Sequence, residues 1–291
     1  MTLRDDWRNL DQEELERQYD ARASVPDFDA EIARYRELSA ECHADCDVIR
    51  DLAYGPSEDE RIDYFPAGSG KPVLVFLHGG YWRLLGRTDS AFMAKALVGR
   101  GISTAVVEYS LAPKVSLDVI VAQCRRAVAW IHGNIARHGG DPTRLFVCGS
   151  SAGAQLAAMA LATDWSAFPG VPRDVLKGGV LASGLYDLEP VRHCRPNEWL
   201  GLDAAAARRN SPQGMTFPDE ARLLVTWGGL ETDEFKRQSR DFARKLHDGG
   251  LAVTCLEVED RNHFDVVTDL ADPGRRLHRA AASLIDGCAA P

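Results

Sequence analysis

The sequence predicts an α/β fold, a mostly parallel central sheet flanked by helices. Three observations lead there. Short, unbroken apolar runs recur at 73–77, 103–108, 145–148, 179–181, 223–227 and 253–258. A run without polar alternation suits a strand covered on both faces. Helix-like stretches separate these runs, near 89–99, 117–137, 152–162, 234–247 and 272–285, and strands alternating with helices indicate parallel pairing. The chain has 291 residues, 45% of them apolar and 26% charged, which is an ordinary globular composition. We read residues 1–291 as one domain, with a helical segment at 1–47 and an insertion at 190–220, rich in Arg, Asn, Pro and Ala, that forms a small cap.

The elements follow in order. Residues 11–20 are helical in composition. In 27–42 the apolar residues Phe28, Ile32, Tyr35, Leu38 and Cys42 fall at helical spacing, with Asp27 able to cap the N-terminus. Short strands are expected at 48–52 and 62–65. Gly68-Ser69-Gly70-Lys71 reads as the turn into the first buried strand.

Charge and cysteine usage exclude several functions. The net charge is −9, and residues 1–60 alone carry 18 acidic against 7 basic side chains. Such a surface repels phosphate backbones, so nucleic acid is not an expected partner. No apolar run is long enough to span a bilayer, and the charged start of the chain does not read as a secretory signal. Seven scattered cysteines, Cys42, Cys46, Cys124, Cys148, Cys194, Cys255 and Cys288, suggest a reducing, cytoplasmic setting. Those in apolar runs, such as Cys148 and Cys255, read as small buried hydrophobes. Cys42 and Cys46 share a helix face, but no second pair has zinc spacing. No metal or cofactor is expected.

Ligand sites in such sheets form at the carboxyl ends of the strands. After 145–148 comes Gly149-Ser150-Ser151-Ala152-Gly153, a G-x-S-x-G pattern with a strand before it and a helix after. The glycines permit a sharp turn that exposes Ser151 as a nucleophile. Serine needs a base to take its proton, and in this arrangement the acid and then the histidine follow it in the chain. Only His263 and His278 lie past residue 250. His263 sits in a loop just beyond a strand, whereas His278 falls within the last helix and reads as a solvated residue. His43, His132, His138 and His247 read as helical surface residues. After 223–227, Glu231, Asp233 and Glu234 compete for the acid. Glu231 stands in the turn itself; Asp233 and Glu234 suit the N-terminus of the next helix. His78-Gly79-Gly80-Tyr81-Trp82 follows the first buried strand. The amides of Gly79 or Gly80, joined by that of Ala152, would form an oxyanion hole. His78 would anchor the loop, and Tyr81 and Trp82 would pack an aromatic group of the substrate.

These residues together resemble the α/β-hydrolase superfamily, in the branch with an H-G-G oxyanion loop. Tyr109-Ser110-Leu111-Ala112-Pro113 is similar to the Y-x-L-A-P segment of hormone-sensitive-lipase-like esterases. The full H-G-G-Y-W at 78–82 resembles the narrower kynurenine formamidase (arylformamidase) group. Tyr19-Asp20-Ala21-Arg22, Ser183-Gly184-Leu185-Tyr186-Asp187-Leu188, the stretch from Glu234 to Ser239, and His263-Phe264-Asp265 agree with that group, so the likeness runs from about residue 19 to 270. It implies Ser151 as nucleophile, His263 as base and Glu231 at the acid position, which the family usually fills with Asp. It also implies hydrolysis of an aryl formamide to an aryl amine and formate through a formyl-enzyme. A carboxylesterase, or an amidase for another small aromatic substrate, is the alternative. A non-catalytic binding protein on this scaffold is disfavoured, because no triad member is missing. The expected partner is a small aromatic amide or ester, and a homodimer stays open.

Overall fold

The computed structural model describes residues 7–218 and 220–287; Cys288 and the first six residues of the charged N-terminal stretch lie outside them. Eight strands form one sheet: β1 Ile49–Ala53, β2 Arg61–Phe65, β3 Lys71–Leu77, β4 Ser103–Val107, β5 Gly140–Ser150, β6 Leu176–Ala182, β7 Arg222–Gly228 and β8 Ala252–Val258. Their spatial order is β1-β2-β4-β3-β5-β6-β7-β8. The contacts of β2 with β1 and β4 are antiparallel, and every later pairing is parallel. The helices are α1 Gln12–Tyr19, α2 Phe28–Asp45, α3 Ala94–Gly99, α4 Leu117–Asn134, α5 Ala152–Leu161, α6 Glu189–Arg192, α7 Asn197–Leu200, α8 Ala204–Arg209, α9 Asp233–Asp248, α10 Asp265–Thr268 and α11 Arg276–Asp286.

The unbroken apolar runs have a clear physical reason. Along β3, Val73, Val75 and Leu77 join a core with residues of α4, α5 and α9, while Leu74 and Phe76 join a second core with residues of α2, α3 and α11. Successive side chains point to opposite faces, so a strand with helices on both sides must be apolar throughout. β8 departs from this. It is the sheet's edge, and Cys255 there is exposed, not the buried hydrophobe its apolar context suggests.

Four further expectations change. The helix expected over 89–99 begins only at Ala94, and Arg87–Asp89 forms a separate 3-10 turn. His278 is not solvated. It is buried beside Leu277, Ala281, Ala282 and Ile285 on the inner face of α11, its Nδ1 2.8 Å from the Leu270 carbonyl. His43 is half-buried, with Nε2 3.2 Å from Asp63 Oδ2 and its ring edge-on to Phe65. His132 is likewise half-buried, Nδ1 lying 3.1 Å from the Pro142 carbonyl. Among the described residues no helix is long and apolar enough to cross a membrane.

Candidate active site

The serine turn is shaped by contacts that exclude side chains. β5 ends at Ser150, α5 starts at Ala152, and Ser151 between them has φ 56° and ψ −121°. That conformation costs a non-glycine residue about 1–3 kcal/mol. It is held by Ser151 N–H donating to the Ala182 carbonyl at 2.8 Å. A Cβ on Gly149 would lie 2.1 Å from the Gly153 carbonyl oxygen, and one on Gly153 would lie 2.0 Å from the Leu77 carbonyl oxygen. Both glycines are therefore required by backbone approach.

The histidine and acid turns nest in the same way. A Cβ on Gly228 would come 2.3 Å from the Arg261 carbonyl oxygen, and one on Gly229 would come 2.6 Å from that of Glu259. This closeness lets Gly229 N–H reach the Val258 carbonyl at 2.9 Å and Leu230 N–H reach that of Arg261 at 3.0 Å. Glu231 is thereby turned inward. Its Oε2 lies 2.8 Å from His263 Nδ1, and its Oε1 accepts Gly228 N–H and Ser183 Oγ, each at 2.5 Å. His263 Nε2 lies 3.0 Å from Ser151 Oγ. All three members of this chain are buried. Phe235 packs on the imidazole at 4.2 Å between ring centres. Of the other carboxylates, Asp233 is exposed in the first turn of α9 and pairs with Lys236 at 3.2 Å. Glu234 is buried but accepts from Tyr19 Oη at 2.8 Å and pairs with Arg237.

The loop after β3 lies against the serine turn. A Cβ on Gly79 would meet the Ser150 carbonyl oxygen at 2.9 Å and Ser151 Cβ at 3.4 Å. Gly80 has φ +96°, and its carbonyl accepts Leu84 N–H at 2.9 Å. Ala152 is the first residue of α5, where an amide has no acceptor within the helix. His78 is buried and stacks on Tyr109, with ring centres 4.1 Å apart, while Tyr109 Oη donates to the His78 carbonyl at 2.6 Å.

Tyr81 and Trp82 part company. Tyr81 borders the cavity, half-buried, and its hydroxyl donates to the Tyr19 carbonyl at 2.6 Å. Burial pushes that phenol's pKa well above its ordinary value, which keeps it a donor. Trp82 is corrected. It is fully buried, its Nε1 donates to Gln155 Oε1 at 3.1 Å, and it does not border the cavity. Its positive φ of 56° turns the indole under the loop into the core.

A cavity of about 980 Å³ opens over Ser151 and His263, within the range that takes small molecules. Gly79, Gly80 and Tyr81 border it, and Phe28, Ile32, Tyr35, Phe92, Trp199 and Phe264 supply apolar wall. Sequence reasoning missed most of this wall. The spacing of Phe28, Ile32 and Tyr35 signals a buried helix face but not that a cavity lies beneath it. Tyr35 Oη donates to the Phe264 carbonyl at 2.7 Å, fastening α2 to the histidine loop. Ser183, the second donor to Glu231, was also missed as a site residue; it has φ 53° and is buried. The 190–220 region contributes Arg195, Pro196 and Trp199 to the cavity.

Comparison with known proteins adds a family. A profile described as the alpha/beta hydrolase fold matches residues 74–266. A kynurenine formamidase of Danio rerio is 33% identical, covering 96% of this chain and 98% of the relative. Another, of Salmo salar, is 34% identical and covers 91% of this chain and 94% of the relative. A solved structure from Silicibacter, provisionally described as a thioesterase, superposes with a TM-score of 0.82 at 26% identity, over 94% of this chain and 99% of the other.

Proposed function

Because the chain belongs to the α/β-hydrolase family, in its kynurenine formamidase-like branch, and is a hydrolase, we propose that it cleaves an aryl formamide such as N-formylkynurenine to the aryl amine and formate. The hydrogen-bonded chain Ser151–His263–Glu231 at the floor of an aromatic-walled cavity carries this reading.

Ser151 Oγ attacks the formyl carbon while His263 Nε2 takes its proton. Glu231 holds the imidazole in the tautomer that presents Nε2 and stabilises the imidazolium without taking the proton itself. The carbonyl oxygen gains charge as the carbon becomes tetrahedral, and the amides of Ala152 and Gly79 or Gly80 receive it. On collapse the C–N bond breaks, and His263 returns the proton to the departing nitrogen. An aryl amine leaves more readily than an alkyl amine, because its lone pair delocalises into the ring. Water then attacks the formyl ester with His263 as base, and formate leaves as Ser151 regains its proton.

The same groups support a second reading, a carboxylesterase or an amidase for another small aromatic substrate, and the 28% identity over 74% of this chain to the esterase LipQ of Mycobacterium tuberculosis favours an ester. Steady-state kinetics on N-formylkynurenine, formanilide, acetanilide and 4-nitrophenyl acetate separates the two. The formamides are expected to have the highest kcat/KM, and a preference for acetyl over formyl overturns the first reading. Labelling by a fluorophosphonate, lost in Ser151→Ala, reports the nucleophile; an unlabelled wild-type protein overturns both readings.

A further inference from the structure

Five arginines border the cavity: Arg17, Arg22, Arg36, Arg83 and Arg195. Three face carboxylates of the chain. Arg17 pairs with Glu14 at 2.5 Å, Arg22 lies 3.8 Å from Asp29, and Arg36 pairs with Asp89 at 2.9 Å. No carboxylate pairs with the guanidinium group of Arg83 or of Arg195 among the described residues. Both are exposed, while Ser151 and His263 in the same cavity are buried, so the two guanidinium groups stand at its mouth.

Their placement is constrained. The Arg83 guanidinium lies 4.8 Å from the centre of the Trp199 ring. That indole is pinned by Nε1 donating to the Tyr81 carbonyl at 3.0 Å, which ties it to the loop carrying Gly79 and Gly80. Arg195 is fixed at its backbone, where its N–H donates to Glu16 Oε2 at 2.9 Å. The acidic residues of the wall have partners within the chain. Glu16 takes that amide and Asp20 takes Ala23 N–H, while Asp29 faces Arg22. Guanidinium groups without a carboxylate, one held over Trp199 and the other anchored through its backbone, suit a planar anion, to which arginine donates in parallel pairs. They also offset locally the repulsion that a chain of net charge −9 exerts on an anionic substrate.

We propose that Arg83 and Arg195 form a receiving site for a carboxylate on the substrate's side chain, so that the enzyme selects anionic aryl substrates. This rests on the aryl-formamide reading for the reacting end; the site itself concerns the opposite end of the substrate.

The test uses a matched pair, 4-(2-formamidophenyl)-4-oxobutanoate and its carboxamide, which differ in charge but hardly in shape. Wild-type enzyme is expected to favour the carboxylate by about tenfold in kcat/KM, carried mainly by KM and shrinking with added salt. In Arg83→Gln/Arg195→Gln the ratio between the two substrates falls towards one, and in Arg83→Lys/Arg195→Lys much of it returns. Equal turnover of the two substrates by wild type overturns the proposal. So does a double variant that slows both substrates alike and keeps their ratio, because the arginines would then serve the fold. Calorimetry with Ser151→Ala separates this failure from that of the function reading. If wild type hydrolyses neither formamide yet Ser151→Ala binds the carboxylate about tenfold more tightly than the carboxamide, the receiving site stands and the reaction assignment falls. If the two bind equally, the receiving site falls.

Discussion

At the cavity floor, Ser151, Glu231 and His263 each stand just beyond the carboxyl end of a parallel strand. At the rim, Tyr19, Arg83, Arg195 and Trp199 come from α1, the loop after Gly80 and the short segments around α7. The floor is fixed by backbone crowding, because glycine turns pack against neighbouring carbonyls at distances no Cβ tolerates. The rim is fixed by single side-chain bonds to distant main chain, such as Tyr81 Oη to Tyr19 and Trp199 Nε1 to Tyr81. Chemistry is thus held by crowded backbone that tolerates no side chain, and substrate selection by contacts that can change one bond at a time.

This contrast can be broken from the floor upward. Ser151→Ala is expected to lower kcat by about 10⁴-fold or more with the fold intact, as removal of a triad nucleophile does; rapid-quench turnover beside circular dichroism checks it. Gly153→Ala tests the crowding. Its Cβ would lie 2.0 Å from the Leu77 carbonyl oxygen, so we expect a loss of about 3 kcal/mol or more, read as a denaturant midpoint or as failure to fold. A stable Gly153→Ala protein would show that the turn has room the distances deny.

Ser183→Gly sharpens the floor. Glycine accepts the φ of 53° but removes the hydroxyl that donates to Glu231. A hydrogen bond to a charged group is worth about 1.5–3 kcal/mol, so kcat should fall about 10–100-fold. An unchanged kcat would mean that Gly228 N–H alone orients the carboxylate.

At the rim, Tyr19→Phe removes a donor to buried Glu234, which keeps its pairing with Arg237. Burial, and then the neighbouring Glu234 charge, hold the Tyr19 phenol well above its ordinary pKa, so it acts as a donor at every working pH. The expected loss is about 1.5 kcal/mol, or about 3–6 °C in Tm, with KM rising more than kcat falls. Calorimetric scans and kinetics check both parts.

The smallest effect concerns pH. Asp265, beside the histidine loop, has its carboxyl pushed up to about 6, foremost by burial. A carboxyl raised in the folded state contributes stability that is full below its unfolded pKa, about 3.9, and is lost as pH rises through about 6. Asp265→Asn should therefore lessen the decline in urea midpoint between pH 4 and pH 7. The same decline in both proteins would refute the assignment.

The sequence revealed the floor better than the rim, for physical reasons. Apolar runs located the strand ends, and Gly149, Gly153 and His263 lie immediately beyond them. Position in the turn favours Glu231 over Asp233, but the donors that hold it, a backbone amide at Gly228 and a hydroxyl beyond another strand, Ser183, are not visible in spacing. Trp82 misled because an aromatic beside two glycines reads as facing a ligand, while its backbone conformation turns it inward onto Gln155. His43 and His278 misled because helical periodicity gives a face but not the neighbour that covers it. The wall formed by Phe28, Ile32 and Tyr35 was visible as a buried face for the same reason, and hidden as a cavity lining.

The bond between Tyr19 and Glu234 spans 215 positions. A ribosome therefore makes α1 long before the residues that secure it. Contacts so remote in sequence form late and slowly. α1 can meet Tyr81 and Arg195 before α9 has emerged, but its bond to Glu234 must wait, so a nascent chain carries its nucleophile turn before its chamber is fully secured.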